Sequence, residues 1–207
     1  MSGSDKELEV KFYLSRREAV EAKLVALGGK VSEPKVHEIN LRLDTPDQVL
    51  SQTGRLLRLR QDARARVTYK GMGSIEGGAR LRQELEFTVS DFKTAQALFE
   101  ALDYQVYMMY EKYRTSYKLG NVDVVLDEMP YGDFAEIEGP DGESILNAAE
   151  HLGLNWETRI LESYTVLFER VRGSLGLAFR DLSFENFHGV KISPAVLGVE
   201  IADSDLY

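Results

Sequence analysis

The sequence predicts an α+β protein built on one mostly antiparallel sheet, and three observations predict it. Polar and apolar residues alternate through many short segments, the mark of half-buried strands. Most of these segments are joined by brief turns, which antiparallel neighbours permit and parallel ones do not. Between and after them lie a few stretches with apolar residues at helical spacing. A chain of 207 residues with 43% hydrophobic and 29% charged side chains is long enough to bury a core and too apolar to stay disordered.

Residues 5–14 (DKELEVKFYL) alternate and read as the first strand. Ser15 with Glu18 three residues later reads as a capping box, opening a helix that stops at Gly28-Gly29. A second alternating stretch covers about 36–44 and ends at Thr45-Pro46-Asp47, because proline cannot donate to a ladder. Strands follow near 55–61, 66–70 and 79–89, the last two joined by the glycine-rich connection GMGSIEGG. That connection lacks GxxxxGK[ST], so it reads as a hairpin link rather than a phosphate loop. Ser90 or Asp91 caps a helix to about 102. A tyrosine-rich strand at 105–119 turns at Gly120-Asn121 into 122–128, and Pro130–Asp133 turns into 134–138. Helical patterns occupy about 141–152 and 159–171. Residues 172–207 show little periodicity and read as a C-terminal extension, leaving 1–171 as the main domain.

Composition removes several classes of chemistry. Without cysteine there are no disulfides, thiolate nucleophiles or zinc–thiolate sites. No apolar run is long enough to span a membrane, and MSGSDKELEVKF lacks the apolar core of a signal peptide, so a cytoplasmic location is expected. A net charge of −9 argues against nucleic acid or an anionic membrane as partner. His37, His151 and His188 are scattered and read as structural or surface residues.

The polar faces of the strands carry the functional signal. Residues two apart share a face, which aligns Glu7, Glu9 and Lys11; Arg58 and Arg60; Thr68 and Lys70; Arg82, Glu84 and Glu86; Lys112 and Arg114; and Glu136 and Glu138, with Asp127 on its own strand. Arg80 and Asp123 read as rim positions. The opposite faces are apolar, as with Leu81, Leu85, Phe87 and Val89 behind the Arg82 row, and are expected to bury against helices. One account is a half-solvated sheet whose surface pairs contribute about 0–1 kcal/mol each. The other is a polyanion site with its metal ions, since guanidinium and ammonium groups hold phosphate oxygens and clustered carboxylates hold a hard cation. If the sheet closes, both sets line a charged cavity.

These residues resemble the CYTH family, or triphosphate tunnel metalloenzymes, which contains class IV adenylyl cyclases, thiamine triphosphatases and inorganic triphosphatases. Glu7-Leu8-Glu9-Val10-Lys11 is similar to its ExExK hallmark, and the other elements follow in family order. They are Leu57–Arg60 (LRxR), Thr68–Gly71 (TxKG), Arg82–Glu86 (RxExE), Lys112-Tyr113-Arg114 (KxR), Leu126–Glu128, Phe134–Glu138 and Ser163-Tyr164. The resemblance implies a closed antiparallel β-barrel, the tunnel, flanked by helices. It implies that Arg58, Arg60, Lys70, Arg82, Lys112 and Arg114 bind a triphosphate. Glu7, Glu9, Asp127, Glu136 and Glu138, with Glu84 and Glu86, would hold Mg²⁺ or Mn²⁺, and Lys11 would assist the attacking water. Residues 127–139 and the TYKG…RxExE spacing look most like the class IV cyclase branch, which converts ATP to cyclic AMP and pyrophosphate. The alternatives are a triphosphatase and a polyphosphate-binding module without turnover. Family members are often dimers, so a homodimer is among the arrangements the resemblance allows. One departure stands out: where cyclase-like members often show DxYxD, this chain has Asn40-Leu41-Arg42-Leu43-Asp44, placing Arg42 either against substrate or on the outer rim.

Overall fold

The structure, a computed structural model, describes residues 6–204. Its strands are β1 (Lys6–Leu14), β2 (Lys30–Asp44), β3 (Leu56–Gln61), β4 (Ala65–Lys70), β5 (Ser74–Glu76), β6 (Ala79–Val89), β7 (Gln105–Leu119), β8 (Val122–Met129) and β9 (Gly132–Glu138). The helices are α1 (Arg17–Ala26), α2 (Val49–Gln52), α3 (Phe92–Ala101), α4 (Gly142–Leu152), α5 (Tyr164–Leu175) and α6 (Pro194–Leu197).

All neighbouring strands run antiparallel in the order β1-β9-β8-β7-β2-β3-β4-β6-β5, and a further β1–β6 pairing closes the sheet into a ring with β5 on its outside edge. The closure depends on β6 serving two partners in succession. Its residues 80–83 pair with β1, and its residues 84–89 pair with β4. Closure also fixes what alternation alone leaves open: one face of every strand points into the ring, and the other must be covered from outside.

Three apolar layers provide that cover. Phe12, Leu126 and Ile137 pack under α1 and α4 with Leu24, Ile145 and Leu152. Leu43, Leu59 and Val67 pack under α3 at Ala95. Met108 and Phe134 pack under α5 and the C-terminal segment with Phe168, Leu182 and Leu197. Burying one such side chain contributes about 1.5–3 kcal/mol. The cover is incomplete over β6, where Leu85 and Phe87 are exposed at 44% and 59% rather than buried against a helix as expected.

The segment after α5 packs as a strap and mends the ring where strands diverge. Leu182 forms a parallel bridge with Tyr110 on the edge of β7 that β8 does not reach, with Leu182 N–H donating to the Met109 carbonyl at 2.9 Å. On the edge of β1 beyond β6, the stretch before α5 joins in, Lys11 exchanging two backbone hydrogen bonds with Ile160, and from the strap Ala202 N–H donates to the Tyr13 carbonyl at 3.0 Å. The strap also corrects the capping box. The Asp203 carboxylate, not the Ser15 hydroxyl, caps the start of α1, accepting from Ser15 N–H at 2.9 Å and Arg16 N–H at 2.6 Å. Other differences are local. The second strand starts at Lys30, the glycine-rich connection contains the short β5, and α5 starts at Tyr164 because Ile160 is held extended against β1.

Candidate active site

Ring closure brings the charged rows together. They line a cavity of about 490 Å³, which includes Lys11 and every phosphate-binding and metal-binding residue predicted from the sequence except Asp127. Burial is deep for such groups: Glu9, Lys11, Arg60, Lys70, Arg82, Lys112, Asp127 and Glu136 are all buried. Charged side chains tolerate that only when paired, and the strand register pairs them.

On one wall the Lys11 ammonium lies 2.9 Å from Glu9 and 3.2 Å from Glu136, and Arg82 donates to Glu9 at 3.2 Å. Lys70 bridges Glu7 and Glu84. Next to Glu136, which Arg114 also reaches, Asp127 is saturated. It accepts from Arg114 at 2.7 and 2.6 Å, from Lys112 at 2.9 Å and from the Tyr164 hydroxyl at 2.9 Å. Arg60 reaches Glu38 at 3.3 Å and Glu86 at 3.1 Å. The Nε groups of Arg58, Arg60 and Arg82 and both amide atoms of Asn40 are buried without a hydrogen-bond partner. Buried polar groups are normally paired; of these exceptions the three arginines line the cavity and Asn40 does not.

The electrostatics follow from burial against neighbours. Burial opposes ionisation of Glu38, but Lys112, Arg114, Arg60 and Arg58 outweigh it and hold this carboxyl at about 2. Burial likewise opposes the charge on Lys11, yet Glu136 and Glu9 keep its ammonium well above the ordinary lysine range. Glu138 goes the other way: burial, reinforced by Glu7, Glu136 and Glu9, pushes it up to about 8.

Glu7, Glu9 and Glu138 converge, each offering a carboxylate oxygen within 4.8 Å of the others. Hard oxygen donors crowded in this way fit Mg²⁺ or Mn²⁺. The other carboxylates predicted as metal ligands lie around this trio, with Glu84 hydrogen-bonded to Glu7 and Glu136 sharing Lys11 with Glu9. Asp127 has its oxygens taken by four donor contacts, Glu136 sits between Lys11 and Arg114, Glu84 pairs with Lys70, and Glu86 faces Arg58, Arg60 and Arg66. Sequence reasoning left Glu38, Asn40 and Tyr110 out of the site. The signal was present, since counting back in twos from Arg42 reaches Asn40 and Glu38. Arg42 itself is on the cavity wall, where it donates to the Thr165 hydroxyl at 2.7 Å.

The model of the CYTH domain matches residues 5–164. The chain belongs to the CYTH family. Solved structures with this fold include a candidate adenylate cyclase from Vibrio parahaemolyticus, with a TM-score of 0.71 and 22% identity over 79% of this chain and 97% of that one. A protein from Pyrococcus horikoshii matches with a TM-score of 0.65 and 30% identity over 76% of this chain and 96% of its own. A Hippeastrum protein first taken for an adenylyl cyclase, in which triphosphatase activity dominates, matches with a TM-score of 0.60 and 17% identity over 79% of this chain and 95% of that one. No curated protein matches this CYTH chain in sequence. Among the described residues no helix is long and apolar enough to cross a membrane.

Proposed function

We propose that this CYTH protein is a divalent-metal-dependent triphosphatase, working as a soluble cytoplasmic enzyme. One observation carries the reading: a carboxylate trio suited to a hard cation lies among arginines and lysines that line the same cavity. Phosphoryl transfer needs charge neutralisation and positioning more than a protein nucleophile, and this cavity supplies both.

Arg58, Arg60, Lys70, Arg82, Lys112 and Arg114 hold the phosphate oxygens, and Glu7, Glu9 and Glu138 hold Mg²⁺ or Mn²⁺. The bound cation would neutralise phosphate oxygens and polarise the scissile P–O bond. Lys11 is a cation, and its neighbours keep it one, so it donates hydrogen bonds and orients the attacking water instead of accepting a proton. Lys112 and Arg114 are fixed by Asp127, and Arg114 shares Glu136 with Lys11. One water adds across one phosphoanhydride: its oxygen bonds to phosphorus and the bridging oxygen departs on the shortened chain.

Hydrolysis is preferred over cyclisation because the end of the tunnel near α5 is lined by Arg42, Arg82, Ser163 and Thr165, groups that bond phosphate oxygens. The cyclase is the second reading, favoured by Leu56 on the same wall as an apolar contact for a base. Incubating the protein with Mg²⁺ or Mn²⁺ and either tripolyphosphate or ATP separates the two. Orthophosphate without cyclic AMP is expected. Cyclic AMP with pyrophosphate would establish the cyclase, and tight binding without turnover would leave a binding module.

A further inference from the structure

Tyr110 lines the tunnel from β7. It is buried, Leu182 of the strap is bridged to its backbone, and its ring belongs to the apolar layer under α5. A phenol held in this way presents a fixed hydroxyl at the polar tip of an apolar body. The direction of its hydrogen bond sets Tyr110 apart from other buried tyrosines. Tyr117 donates to Glu21 at 2.5 Å, Tyr131 to the Tyr164 carbonyl at 2.9 Å and Tyr164 to Asp127 at 2.9 Å. In each of these the hydroxyl hydrogen is committed to a protein acceptor. The Tyr110 hydroxyl instead accepts, from Arg58 Nη1 at 3.4 Å.

Among the described residues its own hydrogen meets no acceptor. The titratable groups that act on it are Arg58 from β3, Lys112 from β7, Glu38 and Arg42 from β2, and Tyr131 from the β8–β9 turn. Guanidinium and ammonium groups have no lone pair to offer. Glu38 has one oxygen on Arg60 at 3.3 Å and the other without a hydrogen-bond partner, and the Asn40 amide, opposite Tyr110 in the strand register, has none either. Burial opposes ionisation of the phenol, but Arg58 and Lys112 outweigh it and bring Tyr110 below the ordinary tyrosine range. The other donors of the tunnel keep or commit their protons. Guanidiniums stay charged. Despite burial, neighbouring carboxylates push Lys11 and Lys70 above the ordinary lysine range. Lys112 is bonded to Asp127 at 2.9 Å, and Glu138 belongs to the carboxylate trio.

We infer that Tyr110 is the catalytic acid of the tunnel, giving its hydroxyl proton to the bridging oxygen that departs when a phosphoanhydride is cut. The inference rests on the triphosphatase reading and deepens it by naming the proton donor. Water oxygen bonds to phosphorus, and the bond from that phosphorus to the bridging oxygen breaks with its electron pair staying on the bridging oxygen. That oxygen takes the Tyr110 proton. The tyrosinate, beside Arg58 and Lys112, regains a proton from solvent, to which the attacking water has released one. Tripolyphosphate gives orthophosphate and pyrophosphate, with no redox change. In-line displacement puts the attacking and leaving oxygens on opposite sides of phosphorus. Lys11 on β1 and Tyr110 on β7, with β9 and β8 between them in the ring, come from separate strands and can attend one oxygen each.

The test is Tyr110→Phe, which removes one oxygen and leaves Arg58 its bond to the Thr68 hydroxyl. The control is Tyr113→Phe, the same deletion at a partly exposed position on the other face of β7, outside the tunnel. Hydrolysis of tripolyphosphate with Mg²⁺ or Mn²⁺ is followed across pH, and tripolyphosphate binding is measured by isothermal titration in EDTA. Tyr110→Phe is expected to lower kcat about 100-fold or more, the scale of a positioned general acid, with KM and Kd within about threefold of the wild type. Tyr113→Phe should match the wild type. A catalytic acid works protonated, so wild-type kcat/KM should fall as pH rises through the phenol's value, below about 10. Tyr110→Phe should lose that alkaline limb. Fluorotyrosine in place of Tyr110, a more acidic phenol, should restore the rate and move the limb to lower pH, which a structural role would not do. Unchanged kcat in Tyr110→Phe, a loss confined to KM and Kd, or a limb that fluorotyrosine leaves in place would overturn the inference and leave the triphosphatase reading standing. A wild-type chain that does not hydrolyse tripolyphosphate would overturn both.

Discussion

The two ends of the tunnel have β6 in common and carry opposite charge. At one end Glu7, Glu84, Glu86, Asp123 and Glu138 crowd the opening, and burial with like charge raises Glu138 to about 8. At the other, Arg42, Arg55, Arg80 and Arg82 gather with no free carboxylate among them. Between them acids and bases are interleaved so closely that even fully buried Asp127 is satisfied. A net charge of −9 conceals this arrangement entirely. The polarity is what a metal–polyphosphate ligand needs: carboxylates where the cation sits and arginines where the anionic chain extends.

The sharpest way to break the comparison is at the acidic end. Glu9→Gln removes one carboxylate of the trio and the partner of both Lys11 and Arg82. Metal-dependent turnover should fall by a factor of about 10³ or more, the scale on which removing one preorganised electrostatic group acts. The far-ultraviolet circular dichroism should remain that of the wild type. A variant with near wild-type turnover would remove Glu9 from the metal site.

The next effect is on stability and concerns how the arginine end is held. Ending the chain after Gly176 removes the strap that bonds β1 and β7 and caps α1 through Asp203. It also uncovers Phe168, which stacks on Phe179 and packs against Phe187. Loss of several buried side chains at about 1.5–3 kcal/mol each should lower the thermal midpoint by more than about 10 °C. An unchanged midpoint would mean that the C-terminal extension adds nothing to the stability of the main domain.

A smaller effect is expected in mid-tunnel. Arg58 donates to the Thr68 hydroxyl at 3.1 Å and the Tyr110 hydroxyl at 3.4 Å, and its nearest carboxylate is at 3.8 Å. Charge-assisted hydrogen bonds contribute about 1.5–3 kcal/mol, and Arg58→Ala should raise KM for tripolyphosphate roughly 10- to 100-fold. Steady-state kinetics showing kcat reduced with KM unchanged would count against a binding role.

Much of this was legible in the sequence because a strand is a ruler. Once Glu7-x-Glu9-x-Lys11 and Arg82-x-Glu84-x-Glu86 were read in twos, the inward faces were fixed, and closure needed only the family resemblance. What stayed hidden depends on long-range pairing. Nothing near residue 15 shows that Asp203, far along the chain, caps α1 in place of Ser15. Nothing near Asp127 shows that Lys112, Arg114 and Tyr164 converge on its two oxygens, setting it apart from the carboxylate trio. Leu85 and Phe87 alternate like core residues, yet among the described residues no element covers them. Glu38 was missed for a different reason: it lies on an alternating strand but in no motif.

Glu38 gives the last and smallest test, and it probes the balance between the two ends. It is buried, and burial by itself pushes its carboxyl up. Lys112, Arg114, Arg60 and Arg58 reverse that and hold it at about 2, against an ordinary 4.5. A carboxyl depressed on folding contributes stability above its unfolded value and loses it as pH falls through its folded value. The contribution is therefore complete above about pH 5 and gone near pH 2, and by linkage it amounts to about 3 kcal/mol at most. Glu38→Gln should thus be less stable than the wild type at pH 7 in urea denaturation, with the gap closing between pH 4.5 and 2. A gap that stays constant with pH would mean that Glu38 contributes by packing and hydrogen bonding, and that the mid-tunnel cations are balanced by Asp127, Glu86 and Glu136 without it.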